Sequence, residues 1–188
     1  MRIHSAILLV LTVLLTTVGF TQTAKTRIVR QDQLSIVGIE QRTSGEKEMS
    51  GEGVIPGMWQ RFYGEGIIDK IPNRVDQSVY ALYTDFASDR MGAYTVVIGV
   101  KVKDQSQMRD GLALKTIPAG TYAVLTSDKG PAPTVIPDAW LKIAALEDKD
   151  QLGGKRAYKC DFEVYEHMTD PQNVQADLFV GLKEEVKK

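Results

Sequence analysis

The chain has 188 residues and is nearly neutral, with 23 basic residues (Lys and Arg) against 24 acidic ones (Asp and Glu). Proteins that bind nucleic acid more often carry a strong basic excess, so the charge argues against a nucleic-acid partner. The length suits one domain with its own core, or two small fused units. Cys160 is the only cysteine, so no disulfide can form within the chain and stability must come from packing.

The amino terminus has the pattern of a secretory leader. Arg2 precedes an apolar run over residues 6–15, and small residues follow it. This order is typical of a signal peptide, and the run is shorter than the ~20 apolar residues that span a bilayer. The alternative, an uncleaved membrane anchor, is therefore less favoured. We expect residues 1–24 to be a signal peptide and the mature protein to be exported, periplasmic or secreted, with no stable membrane anchor.

Residues 25–188 are expected to form a single domain. In its first half, residues 26–31 are interpreted as a polar lead-in, and residues 43–53, rich in Gly, Glu and Ser, as a loop. Pro56 favours a helix start, because its missing N–H has no partner in a first turn. The predicted elements are strands at 34–39, 78–86 and 94–102, and a helix at 55–63 with apolar positions 55, 58, 59, 62 and 63.

The same order of elements starts again in the second half. Ile136-Pro137 opens a second predicted helix, with an apolar stripe at positions 136, 140, 143 and 144. Polar and apolar residues alternate around Phe162, as in a half-buried strand. The predicted strands of this half are 121–126, 159–166 and 178–183.

Three matches at nearly constant spacing indicate an internal duplication. They are Ile-Pro-x-x-Trp ending at Trp59 and Trp140 (140 − 59 = 81), Tyr83 with Tyr165 (165 − 83 = 82), and Ile98-Gly99 with Val180-Gly181 (181 − 99 = 82). The repeats span about residues 33–103 and about residues 115–185. We therefore predict an α+β fold of two strand-helix-strand-strand modules, with antiparallel sheets, pseudo-two-fold symmetry and a central groove.

Several motifs resemble the GyrI-like effector-binding domain family over about residues 33–185. They are Tyr83-Thr84-Asp85-Phe86, Ile117-Pro118-Ala119-Gly120-Thr121-Tyr122 and Asp161-Phe162-Glu163-Val164-Tyr165. The resemblance implies a groove for bulky, lipophilic and often cationic compounds, lined by aromatic residues, with a buried glutamate as counter-charge. Glu163 matches that glutamate. We expect no added helix-turn-helix segment of the kind found in the family's transcription regulators, and no nucleic-acid partner.

Glu163 also suits this role on physical grounds. A carboxylate on an apolar face is costly to desolvate, so it either meets a cation or raises its pKa. The alternative is an exposed strand glutamate that pairs with Lys159 or Lys101. Tyr83 and Tyr165 are expected on the same face of the sheet, and Ala81 stands in the first repeat where Glu163 stands in the second.

Further aromatic residues are candidates for the groove wall, namely Trp59, Trp140 and Tyr122. Their rings could hold a flat cation through cation–π contacts. The alternative for the two tryptophans, which lie at helical spacing, is a place in the core.

Signals for an enzyme are weak. The sequence lacks a Gly-x-Ser-x-Gly motif, a Gly-rich phosphate loop and a His-Glu-x-x-His pair, and His167 is the one histidine after the leader. We expect no metal and no cofactor. The favoured function is an exported binder of lipophilic, cationic small molecules. The alternatives are a hydrolase of ring-strained electrophilic compounds, with Glu163 as general base, and a partner-binding module of the cell envelope.

The leader gives a first testable prediction. The intact mass of protein recovered from its native compartment should lack about the first 19 to 24 residues, because the apolar run is a cleavable signal. A cytoplasmic protein that still begins at Met1 would contradict the predicted export.

Overall fold

A computed structural model describes residues 26–103, 111–166 and 170–184. The predicted leader and His167 lie outside these residues. The strands are β1 (Arg27–Gln31), β2 (Leu34–Ser44), β3 (Arg74–Thr84), β4 (Ala93–Val102), β5 (Ala113–Ile117), β6 (Gly120–Thr126), β7 (Arg156–Tyr165) and β8 (Asp177–Leu182). The helices are α1 (Gly45–Ser50), α2 (Ile55–Gly64) and α3 (Ala132–Asp148), with one 3₁₀ turn at Ile68–Lys70. No helix within the described ranges is long and apolar enough to cross a membrane.

The eight strands form one antiparallel sheet in the order β1-β6-β8-β7-β3-β4-β2-β5. The inner six strands are symmetric: reading outward from the centre, the first module has the order β3-β4-β2 and the second has the matching order β7-β8-β6. Strands β3 and β7 pair at the centre and join the two modules. The predicted α+β fold class is therefore confirmed, with the two modules sharing a single sheet.

The register at the centre of the sheet locates the pseudo-two-fold axis. Ala81 of β3 pairs directly with Glu163 of β7. Their separation, 163 − 81 = 82, equals the repeat shift, so each residue faces its own counterpart and the axis passes between them. Directly opposed residues point to the same face of a sheet. That face carries the helices, because Ala81 clusters with Phe62 of α2 and Ile143 of α3.

Each module gains one further strand at the outer edge of the sheet. β1, which precedes the first module in the sequence, pairs with β6 of the second module. β5, which precedes β6 in the sequence, pairs with β2 of the first module. The interpretation of residues 26–31 as a polar lead-in is therefore wrong. The ladder bonds come from the backbone, so an edge strand such as β1 needs little apolar patterning, and sequence periodicity does not reveal it.

The predicted loop at residues 43–53 contains the short helix α1. The Ser44 side chain caps its amino terminus by accepting a hydrogen bond from the Lys47 N–H at 3.3 Å. Gly51 ends the helix in the left-handed region, with φ of 85°. The loop prediction was wrong because it weighed the Gly and Ser content and overlooked this pair of capping signals.

Helix α2 agrees with its prediction, and α3 begins earlier than predicted. Pro133 lies in the first turn of α3, where a missing N–H costs nothing, so Pro137 falls inside the helix and does not start it. The buried residues of α3 are Val135, Ala139, Ile143 and Leu146. Of the predicted stripe at 136, 140, 143 and 144, only residue 143 belongs to this buried face. The other three positions lie beside it, where the apolar surface of α3 borders a cavity.

Two glycines permit a close approach of β2 and β4. Gly38 and Gly99 are paired, and a Cβ atom on Gly38 would lie 2.0 Å from the Ile98 carbonyl oxygen. A Cβ atom on Gly99 would lie 2.3 Å from the Val37 carbonyl oxygen. Both contacts are with backbone, so neither can be relieved by a side-chain rotation.

We therefore expect Gly38→Ala to lower the free energy of unfolding by about 1–3 kcal/mol through overpacking. Gly57→Ala is the control, since a Cβ on this α2 residue meets nothing within 4 Å. It should leave stability unchanged or raise it by up to about 1 kcal/mol, because alanine favours helix. Urea unfolding measures both, and equal small effects would show that the strands can separate to accept a methyl group.

Candidate functional site

Glu163 lies on the pseudo-two-fold axis and is almost fully buried, with 1% of its surface exposed. Oε1 accepts hydrogen bonds from the Tyr83 hydroxyl at 2.7 Å and from Trp140 Nε1 at 2.6 Å. Oε2 accepts one from the Tyr165 hydroxyl at 2.5 Å. The alternative of an exposed glutamate paired with a lysine therefore fails, because all three partners are neutral aromatic donors.

Burial dominates the electrostatics of this group. It raises the pKa of the Glu163 carboxyl, while the three hydrogen bonds act in the opposite direction. Burial, followed by the charge of Glu163, raises the pKa values of Tyr83 and Tyr165 well above 10. Both phenols therefore stay protonated and remain donors to the carboxylate.

The aromatic residues around Glu163 form two pseudo-symmetric pairs across the modules. Tyr83 packs edge-to-face on Trp140, with ring centroids 5.3 Å apart and planes at 79°. Tyr165 packs in the same way on Trp59, at 5.2 Å and 77°. The symmetry ends at the axis, where Glu163 accepts from Trp140 and the counterpart Ala81 offers Trp59 no acceptor. Each tyrosine thus joins the sheet to the helix of the other module.

A cavity of about 860 Å³ lies on the Trp140 side of the axis. Helices α1 and α3, the start of α2 and the β3–β4 connection enclose it. Its lining is mostly apolar and aromatic, and includes Ile55, Pro56, Tyr83, Phe86, Tyr94, Ile136, Trp140, Ala144 and Ala145. Met49 and Leu141 also line it and are 72% and 63% exposed, so they mark where the cavity meets solvent.

The arginines near the cavity are held by carboxylates. Arg156 is buried and donates to Asp161 Oδ2 at 2.7 and 3.1 Å and to Glu147 at 3.1 Å. Arg90 makes two hydrogen bonds to Asp148, at 2.8 and 3.2 Å. Both guanidinium groups are therefore neutralised by carboxylates of the protein, which leaves neither free to attract an anion.

A bulge in β7 directs Arg156 inward. The pairing of β7 with β8 shifts register between Arg156 and Asp161. Tyr158, inside this interval, has φ of 52°, a left-handed conformation that is uncommon for a residue other than glycine. The guanidinium group consequently lies 4.6 Å from the Tyr158 ring and 5.7 Å from the Trp140 ring.

The structure brings together five of the six predicted site residues. Tyr83, Trp140 and Tyr165 donate to Glu163, and Trp59 packs on Tyr165. Of these, Tyr83 and Trp140 also line the cavity. The sixth, Tyr122, lies in a different cluster, packs on Phe162 at 5.3 Å and donates its hydroxyl to the Pro118 carbonyl oxygen.

Sequence reasoning missed several residues of the cavity, chiefly Glu48, Phe86 and Arg156. Glu48 and the Ser44 cap fall within the segment that was predicted as a loop, and the capping pattern could have identified the helix. The bulge that directs Arg156 inward has no comparable signal, because it depends on a register shift between paired strands.

A duplicated sheet with an aromatic cavity beside its axis defines the GyrI-like class of small-molecule-binding folds. Within that class, the family model for integron-associated effector binding proteins (Cass2) matches residues 27–182. The chain belongs to this family, and the resemblance inferred from its motifs is confirmed.

Three relatives illustrate the match. YobU of Bacillus subtilis (strain 168), which carries the name of a transcriptional regulator, is 29% identical over 158 residues, 83% of this chain and 96% of its own. An integron cassette protein from the mobile metagenome of Vibrio cholerae has a TM-score of 0.67 at 23% identity, covering 85% of this chain and 96% of that one. SAV2435, whose structure is bound to tetraphenylphosphonium, has a TM-score of 0.69 at 17% identity, with 85% and 94% covered. The two structures share the fold of this chain.

The buried carboxyl predicts a specific pH dependence. A carboxyl with a raised pKa in the folded state stabilises the fold below its unfolded pKa, and that contribution is lost as pH rises. Glutamine does not titrate, so the melting temperature of Glu163→Gln minus that of wild type should increase as pH rises from the ordinary value of 4.5.

Thermal melts of both proteins over a pH series measure this difference. The Asp161 carboxyl, whose pKa burial also raises, titrates in both proteins, so its effect cancels in the subtraction. A difference that decreases with pH would show that the three donors outweigh burial and hold the pKa of Glu163 down.

Proposed function

We propose that this protein binds a bulky, lipophilic cation in the cavity beside Glu163. The observation that carries the proposal is the combination of an aromatic lining with an excess of nearby carboxyl groups. Membership in an effector-binding family supports small-molecule binding in general. The size and charge of the cavity support the narrower class of ligand.

The dimensions of the cavity suit a ligand of several rings. Its volume of about 860 Å³ lies in the ~300–1,000 Å³ range of small-molecule sites. Tyr83, Phe86, Tyr94 and Trp140 supply ring faces and edges, and a cation over such a ring gains roughly 0.5–2 kcal/mol. Aromatic rings also bury the apolar surface of an aryl or alkyl group, so the same wall can contact both the charged and the apolar part of the ligand.

The charges around the cavity favour a positive ligand. Arg90 and Arg156 face five carboxyl groups, those of Glu48, Glu147, Asp148, Asp161 and Glu163. Even with Glu163 protonated, four carboxylates stand against two guanidinium groups. Because the cavity wall has a low dielectric constant, these excess negative charges attract a cation more strongly than the same charges would in water.

A relative of the same fold gives independent support. The structure of SAV2435 is bound to tetraphenylphosphonium, a cation with four aryl groups. We propose that the present protein accepts ligands of that chemistry, since its cavity offers aromatic faces and negative charge.

The alternative hydrolase gains no support from the geometry of Glu163. A general base needs a lone pair within hydrogen-bond reach of the attacking water. The Glu163 carboxylate already accepts three hydrogen bonds and is 1% exposed. A binding role requires no such access.

We also propose that the protein acts outside the cytoplasm. This proposal rests on the Arg2 and apolar-run pattern of the leader alone. The mass measurement described for the leader tests it separately from ligand binding.

Calorimetric titration with two ions of matched shape tests the binding function. Tetraphenylphosphonium and tetraphenylborate have the same four aryl groups and opposite charge. Wild type should bind the phosphonium saturably and at least about tenfold more tightly than the borate, because the carboxyl groups around the cavity outnumber the guanidinium groups. Equal affinities, or no saturable binding of the phosphonium, would reject the proposal.

A bulky substitution within the cavity locates the binding. Ala144 lines the cavity, so Ala144→Phe should weaken phosphonium binding by occupying ligand volume. Thr134→Phe, at an exposed position of the same helix that does not line the cavity, is the matched control. Equal losses in the two variants would place the ligand elsewhere.

A further inference from the structure

We propose that Glu48, and not Glu163, is the carboxylate that contacts the positive group of the ligand. Glu48 is thereby the residue that sets the charge specificity of the cavity. This inference rests on the proposed binding of a lipophilic cation and adds the residue that selects for charge.

The side chain of Glu48 is fixed through one of its two oxygens. Oε1 accepts a hydrogen bond from the Thr43 hydroxyl at 2.7 Å and from the Val54 N–H at 2.9 Å. Among the described residues, Oε2 accepts no hydrogen bond, and it lies beside Gly53, where an added Cβ atom would stand 2.0 Å from it. A carboxylate held in this way has one oxygen without a donor, and its side chain is already ordered when a ligand arrives.

The other carboxylate of the cavity wall already has a cationic partner. Asp148 accepts two hydrogen bonds from Arg90. In the described part of the lining, Glu48 is thus the one carboxylate without an arginine or lysine partner. An incoming cation would meet an uncompensated charge at Glu48 and a neutralised ion pair at Asp148.

Glu163 is poorly placed for direct contact. It does not line the cavity, and Tyr83 and Trp140, which do, both donate to its Oε1. A cation could reach Glu163 only by displacing one of these donors. Its structural effect is to fix the two rings, so Glu163 acts on the ligand as a positioning residue.

Glu48 shares the cavity wall with the aromatic residue Tyr94. Burial raises the pKa of Tyr94, and the negative charge of Glu48 is the next contribution. Glu48 and Tyr94 both line the cavity, from α1 and from β4. A carboxylate beside a ring offers a cation both an ion pair and a cation–π contact at one place.

The test compares three glutamine variants with the same pair of ions. Glu48→Gln keeps an oxygen that can accept from Thr43 and Val54 but removes the charge. Glu46→Gln removes an equal charge from an exposed position of the same helix, outside the lining, and is the matched control. Glu163→Gln removes the buried charge. Thermal melts confirm that each variant is folded.

We expect Glu48→Gln to weaken tetraphenylphosphonium binding about tenfold or more, while tetraphenylborate binding stays equal or improves. Glu46→Gln should change phosphonium affinity less than about twofold, because solvent and salt screen an exposed charge. Glu163→Gln should reduce phosphonium affinity less than Glu48→Gln does.

Two results would overturn the inference while leaving the proposed function intact. One is a wild type that prefers the phosphonium together with a Glu48→Gln variant that keeps this preference. The other is equal loss of both ions in Glu48→Gln, which would assign Glu48 a role in cavity shape. A wild type that lacks the preference would instead reject the proposed function itself.

Discussion

The burial of one carboxylate at the symmetry axis is the constraint around which the site is arranged. Glu163 of β7 is held by Tyr83 of β3, Trp140 of α3 and Tyr165 of its own strand. An ionised group so deep in the protein is tolerated only when donors satisfy it, and removing one donor leaves part of its hydrogen-bonding capacity unmet at a cost of about 1–3 kcal/mol. This one side chain therefore links β3, β7 and α3 at the place where the two modules pair.

The two repeats have the same arrangement of elements, and differences between them place the carboxyl group and the cavity on one side of the axis. Position 81 carries alanine and its counterpart is Glu163, so the central pair of strands offers an acceptor to Trp140 but none to Trp59. A second difference concerns the helices: Ala144 lines the cavity, whereas its counterpart at 144 − 81 = 63 is Tyr63, which stacks on Trp59 at 6.0 Å. A small residue leaves space on one side of the axis, and a large one fills it on the other.

Much of this design was readable from the sequence, because a repeat shift constrains geometry. The shift of 82 predicts that Glu163 faces Ala81 as soon as β3 and β7 pair across a two-fold axis. What could not be read depends on contacts between distant segments. β1 gains its hydrogen bonds from the edge of β6, and Arg156 turns inward through a register shift with β8. Tyr122 is aromatic like the site residues, but its side chain packs in a different core cluster.

The proposed separation of roles between two acids gives a reason for a carboxylate that lies outside the cavity lining, as Glu163 does. Charge-assisted hydrogen bonds from Tyr83 and Trp140 to Glu163 fix the orientation of both rings before any ligand enters. A preformed wall lowers the ordering cost of binding, which otherwise offsets much of the gain from apolar contact. In the proposed mode of binding, recognition of charge falls to a carboxylate on the wall. Glu48 suits that role because its position is fixed through Oε1, while Glu163 fixes the rings, so rigidity and charge selection need not compete for the same side chain.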